Sequence, residues 1–232
     1  MIPRKIHYCY FNPQKMSDSV IRSISSWKAY MPDYQLVMWN EYNTPLFLPW
    51  IRQFIQNHQW LELYTLIKYH VLFTEGGIFL STSIEVIKNF DPLLTNDAFL
   101  GFQSINETSE WLGTKIIGVT PHNGFIKQIL DLTEQEIVDN DASKHTSINI
   151  TSSLKDKGLN KYGLQKIEDL TLYPIEYFYP YEWNRSTPSG KITDETYCIN
   201  HQDTDFSGQE FWYKSFLQKL KDKLTSLAND PT

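Results

Sequence analysis

The chain has 232 residues, a formal charge of −6 and 15% aromatic residues, long enough for a sizeable core and short enough to read as a single domain spanning 1–232. The acid excess excludes a broad basic face for nucleic acid. Two cysteines, Cys9 and Cys198, exclude a disulfide framework or a cysteine zinc site and read as buried free thiols in a reducing cytoplasm. No stretch approaches the ~20 apolar residues of a membrane span, and residues 1–6 enter a strand with no signal-peptide apolar region, so contact with a membrane is expected to be peripheral at most, at its inner face.

Alternation over residues 6–10 predicts a first strand, and residues 34–39 a second. Between them Val20, Ile21, Ile24 and Trp27 recur on one helical face. This is a βαβ opening, which calls for parallel strands. Asn43, Pro45 and Pro49 break the chain, and residues 50–73 read as one or two helices running to Gly76 and Gly77. Strands are expected over 78–86, 98–102 and 115–119, with a helix over 123–132. That order is the signature of an α/β sheet with helices on both faces.

Residues 139–153 are polar without a period and read as a loop or lid, or as plain surface disorder. Aromatic residues gather over 170–181. Residues 209–228 place Phe211, Trp212, Phe216, Leu220, Leu224 and Leu227 on one helical face, with Lys214, Lys219, Lys221 and Lys223 elsewhere. Such a helix docks on its own domain or lies on an anionic membrane.

The most informative stretch is residues 75–86. Two glycines after a helical run provide a left-handed or otherwise strained turn. Ile78, Phe79 and Leu80 then form a short buried strand, which puts Ser81 and Ser83 at its C-terminal end, where open α/β sheets hold their ligands. Strand alternation places Glu85 on the same face as the serines.

These residues resemble the glycosyltransferase family named for a sugar-binding region containing a DXD motif, which includes capsular-polysaccharide and initiating mannosyltransferases. The family's frame, Gly-Gly-Ile-Tyr-Leu-Asp-x-Asp-x-Glu, is matched at Gly76, Gly77, Ile78, Phe79, Leu80 and Glu85. Ser81 and Ser83 stand where the family has two aspartates, and Thr65, Lys68 and His70 where it has Asp, Arg and Asp. Ile2 to Tyr10 is similar to the family's opening, which contributes to a nucleotide-base pocket. Gly118 to Gly124, Phe178-Tyr179-Pro180 and Tyr197 to Gln202 follow at the family's order.

The resemblance implies a GT-A fold: a mixed, mainly parallel sheet with helices on both faces. It also implies a nucleotide-sugar donor, a glycan or lipid-linked acceptor, and donor contacts at His7, Tyr8, Tyr10, Thr65, Lys68, Ser81, Ser83 and His201. In the family the carboxylate pair holds a divalent ion that neutralises the diphosphate leaving group. Serine hydroxyls are neutral and weak ligands for a hard cation. No metal is therefore expected at Ser81 and Ser83, and manganese or magnesium would need Glu85, His201, Asp203 or Asp205. The last three lie within five residues of one another, a group more often found as solvated or turn-forming residues. Lys68 keeps the positive charge of the family's Arg without its bidentate fork, or is an exposed helix lysine. Two readings stay open: a transferase of polysaccharide or glycoconjugate synthesis working without the usual metal, and an inactive homologue that binds or scaffolds beside a partner glycosyltransferase.

Overall fold

The protein is described by a computed structural model covering residues 1–10, 15–40, 43, 51, 60–107, 111–138, 150–181 and 191–201. Asp203, Asp205, the helix expected over 209–228 and most of the polar segment 139–153 lie outside the described residues.

Strand β1 (Lys5–Cys9), helix α1 (Asp18–Tyr30) and strand β2 (Gln35–Trp39) make the expected βαβ unit, with Lys5 to Cys9 paired in parallel to Gln35 to Trp39. Ser17 starts α1 by accepting a hydrogen bond from the Val20 amide, satisfying one of the amides a helix start leaves open. The buried face of α1 is Val20, Ser23, Ile24 and Trp27. Ile21, expected on it, is 40% exposed, because at 100° per residue Val20 and Ile24 already centre the stripe and Ser23 completes it.

Helix α2 (Trp60–Glu75) runs into strand β3 (Gly77–Leu80). A single strand over 78–86 does not form. The chain turns at Ser81 to Ser83, with the Ile84 amide bonded to the Ser81 carbonyl, and strand β4 (Ile84–Val86) leaves for another sheet. Serine side chains compete for backbone amides, and here Ser81 Oγ takes the Ser83 amide at 3.4 Å. The alternation that placed Glu85 beside the serines therefore does not apply.

A 3₁₀ turn (Asp91–Thr95) precedes strands β5 (Ala98–Phe102) and β6 (Leu112–Val119). Helix α3 (Gly124–Val138) outlasts its expected end, and helix α4 (Ile150–Lys155) takes up the close of the segment expected to be loop. Strands β7 (Gln165–Ile167) and β8 (Leu170–Tyr173), helix α5 (Ile175–Phe178) and strand β9 (Cys198–Asn200) follow.

Among the described residues the main sheet has the order β2-β1-β3-β6-β5-β8-β7, and β4 pairs with β9 in a small antiparallel sheet. Five of the seven strands run one way, with β6 and β7 opposed. Both faces are covered. Phe79, Ile117 and Val119 pack into one apolar layer with Leu66, Ile67, Ile126 and Ile129 of α2 and α3. Their sequence neighbours Ile78, Leu80 and Ile116 pack into a second with Val20, Trp27 and Phe178. Period-two alternation thus feeds apolar residues to both layers, as in strands buried on both faces. Cys9 and Cys198 are free and buried.

Candidate functional site

The turn into β3 is fixed by glycine. Gly76 and Gly77 have φ of 63° and 101°, and a Cβ on Gly77 would stand 2.7 Å from the Lys5 carbonyl oxygen. That space lets β3 pair with β1 at Ile6 and His7. The Gly76 carbonyl, facing β1, takes the Nε2 proton of His7 at 2.9 Å. Trp39 Nε1 donates to His7 Nδ1 at 3.0 Å. Since Nδ1 accepts, the proton sits on Nε2, which settles the tautomer. Burial pushes the pKa of His7 below its ordinary value, so the ring is neutral and links β1, β2 and the glycine turn. Tyr8 is buried edge-on against Trp27, and Tyr10, half-buried, closes the strand through its amide to the Trp39 carbonyl.

Beyond the end of β3 a polar network forms. Ser81 Oγ and Ser83 Oγ are 3.1 Å apart, and the buried Ser83 hydroxyl donates to Asn200 Oδ1 at 3.0 Å. Lys115 Nζ donates to the same oxygen at 3.2 Å. The His201 amide bonds to the Ser83 carbonyl at 2.8 Å, and His201 Nε2 meets Glu85 Oε2 at 2.6 Å. The β4–β9 pairing therefore brings Ser81, Ser83, Glu85 and His201 together. It does so around Asn200 and Lys115, neither of them among the expected site residues. Asn200 lies beside His201, and Lys115 is the residue whose carbonyl receives the Ser81 amide, continuing the β3–β6 ladder. Among the described residues no group of three or more His, Cys, Asp or Glu side chains is placed to hold a metal.

Thr65 and Lys68 sit on α2. Thr65 is half-buried. Lys68 is 5% exposed and is not a surface lysine. Its ammonium lies 4.7 Å from the Tyr69 ring, 5.7 Å from Phe79 and 5.9 Å from Tyr64, and burial brings its pKa down to about 8. His70, half-buried on the same helix, is also held below its ordinary pKa by burial.

A mixed sheet covered on both faces, a glycine turn into a central strand and a polar network past that strand's C-terminal end define a GT-A-like fold of the glycosyltransferase type. Residues 17–100 match the family profile described as "Glycosyltransferase sugar-binding region containing DXD motif". No curated protein sequence matches the chain significantly. Among solved structures, the PaToxG glycosyltransferase is similar at a TM-score of 0.50 and 16% identity, over 67% of this chain and 69% of that one. The apo-form glycosyltransferase GlyE of Streptococcus pneumoniae TIGR4 is similar at a TM-score of 0.53 and 8% identity, over 95% of this chain and 64% of that one. At these identities the likeness concerns the fold. No helix of the described residues is long and apolar enough to cross a membrane.

Proposed function

We propose that the protein transfers a glycosyl group from a nucleotide-sugar donor to a glycan or lipid-linked acceptor in polysaccharide or glycoconjugate synthesis, without a divalent ion at Ser81 and Ser83. The observation that carries this reading is the Lys115 ammonium, held on Asn200 Oδ1 at 3.2 Å beside the buried Ser83 hydroxyl. In such a transfer the acceptor oxygen bonds to the anomeric carbon as the bond from that carbon to the diphosphate oxygen breaks, and the acceptor's proton passes to the leaving diphosphate or to solvent. The negative charge left on the diphosphate has to be neutralised. Two neutral hydroxyls and an amide oxygen next to an ammonium do not fit a hard divalent cation, which wants charged oxygen ligands and is repelled by a neighbouring positive charge. A fixed lysine supplies positive charge without a metal. Glu85 and His201 are engaged with each other and link β4 to the end of β9, a positioning role for the network.

The reading is tested by thermal shift with a set of nucleotide sugars, with manganese and with EDTA, since a ligand that binds the native state raises its apparent stability. Stabilisation by one donor class, equal in EDTA and manganese and lost in Lys115→Met, is expected, together with release of nucleoside diphosphate when acceptor is added. Stabilisation that requires manganese and disappears in Ser81→Ala, Ser83→Ala overturns the metal-free reading. The second reading, an inactive homologue beside a partner glycosyltransferase, is favoured by the joint change of family polar positions at Thr65, Lys68, His70, Ser81 and Ser83. Donor binding without turnover over a broad acceptor panel supports it.

A further inference from the structure

The serine turn and strand β4 are held from two sides. On one side β4 pairs with β9, Ile84 to Val86 opposite Asn200 to Cys198. There the Ser83 carbonyl accepts the His201 amide, and the Ile87 amide donates to the Tyr197 carbonyl. The backbone groups of successive residues in a strand point to opposite edges, so those of Ile84 and Val86 point away from β9. On that side they meet helix α1. Trp27 Nε1 donates to the Ile84 carbonyl at 2.8 Å, and Ser26 Oγ accepts the Val86 amide at 2.9 Å. Ser26 gives its own proton to the Ser23 carbonyl at 2.6 Å, so its oxygen faces β4 as an acceptor.

A carbonyl and an amide two residues apart on one edge are what a neighbouring strand would bond to; α1 meets them with one donor and one acceptor from adjacent side chains. Trp27 is fully buried and edge-on to Tyr8. A buried backbone group left without its partner costs free energy, and a slip of β4 by one residue turns both groups to the wrong edge. Helix α1 therefore fixes the phase of β4. That phase decides whether Ser83, the residue just before β4, meets Asn200 at 3.0 Å, and whether Asn200 in turn meets Lys115 at 3.2 Å.

We propose that Ser26 and Trp27 are positioning residues of the site: from outside the polar network they set the β4 register that brings Ser83, Asn200 and Lys115 together. What the network does for a ligand rests on the Lys115 reading above; the positioning is tested apart from it. UDP is titrated calorimetrically in EDTA into wild type, Trp27→Phe, Ser26→Ala and Ser26→Thr, each with and without Lys115→Met, and hydrogen exchange is followed in the unliganded proteins. Trp27→Phe keeps a ring in the apolar layer, and Ser26→Ala puts a good helix former at a half-buried position, so both variants are expected to fold. Lys115→Met should cost wild type tenfold or more in UDP affinity. Trp27→Phe and Ser26→Ala should each lose a similar amount, with Lys115→Met adding little further, and Ser26→Thr should restore binding. Exchange should quicken over residues 81–87 and 198–201 and keep its wild-type rate over the β5–β6 pair. Where Lys115→Met weakens wild type, undiminished affinity in both variants, or an equal cost of Lys115→Met in every background, overturns the proposal. Exchange quickened equally throughout the chain also overturns it, since that marks a role in packing alone. Where UDP binding to wild type is absent or indifferent to Lys115→Met, the Lys115 reading fails, and the exchange pattern decides the positioning: local quickening upholds it and wild-type rates over 81–87 overturn it.

Discussion

At the scale of single residues, Lys68 and His7 show how burial turns a titratable side chain into a statement about stability. The folded state holds the Lys68 pKa at about 8 against an ordinary 10.5. The charged form is therefore penalised by about 3 kcal/mol, fully below pH 8 and not at all above 10.5. Lys68→Met should accordingly raise stability at pH 7 by up to about 3 kcal/mol, with the gain fading by pH 10.5. Urea unfolding of both proteins at pH 7 and pH 10 measures this, and a difference that does not shrink between the two pH values would contradict it. His7 works in the opposite pH range. Its pKa is depressed by burial, so below an ordinary value near 6.5 the unfolded chain takes up the proton first and stability falls as pH drops. His7→Phe leaves the Gly76 carbonyl and the Trp39 indole without their partner. It should cost about 2 to 4 kcal/mol at pH 7 and flatten the loss of stability between pH 7 and 5, read by chemical denaturation across that range.

At the scale of elements, the departure of β4 from β3 decides what the serine segment can do. The segment ends a core strand and starts a pair with β9, and that pairing delivers Asn200 to Ser83 and, through it, to Lys115. Restoring carboxylates with Ser81→Asp and Ser83→Asp should therefore give only weak manganese binding, because the Lys115 ammonium stays next to the new ligands. Adding Lys115→Met to that pair should tighten manganese binding by tenfold or more, measured by calorimetry. Equal affinities with and without the lysine would show that Lys115 does not set the charge of this network.

For the molecule as a whole, the apolar layer that holds Phe99 and Phe178 is packed tightly against the sheet. Gly118 faces Phe99 in register between β6 and β5, and a Cβ there would fall 2.0 Å from the Phe99 ring. Phe99 stacks on Phe178 with centroids 5.7 Å apart. Gly118→Ala must displace both rings in a close-packed layer, which should cost at least about 2 kcal/mol; a thermal or urea midpoint unchanged from wild type would contradict it.

Much of this architecture was legible locally. The alternation of Ile6 to Cys9, the helical spacing of Val20, Ile24 and Trp27, the run Ile78-Phe79-Leu80 and the glycines before it carry their structure in nearest-neighbour patterns, because strand and helix periods and positive φ are local properties. What only the tertiary structure decided lies in contacts between distant residues. Glu85 meets His201 at a sequence separation of 116, Ser83 meets Asn200 at 117, and Lys115 reaches the same oxygen from 85 residues away. No periodicity encodes those meetings, since they depend on the order in which strands join the sheet. Lys68 is the sharpest case. On sequence it serves equally as a helix-surface lysine or a ligand contact, and its burial follows from α2 packing against β1 and β3 so that the level of Lys68 falls beneath the rings of Tyr64 and Phe79.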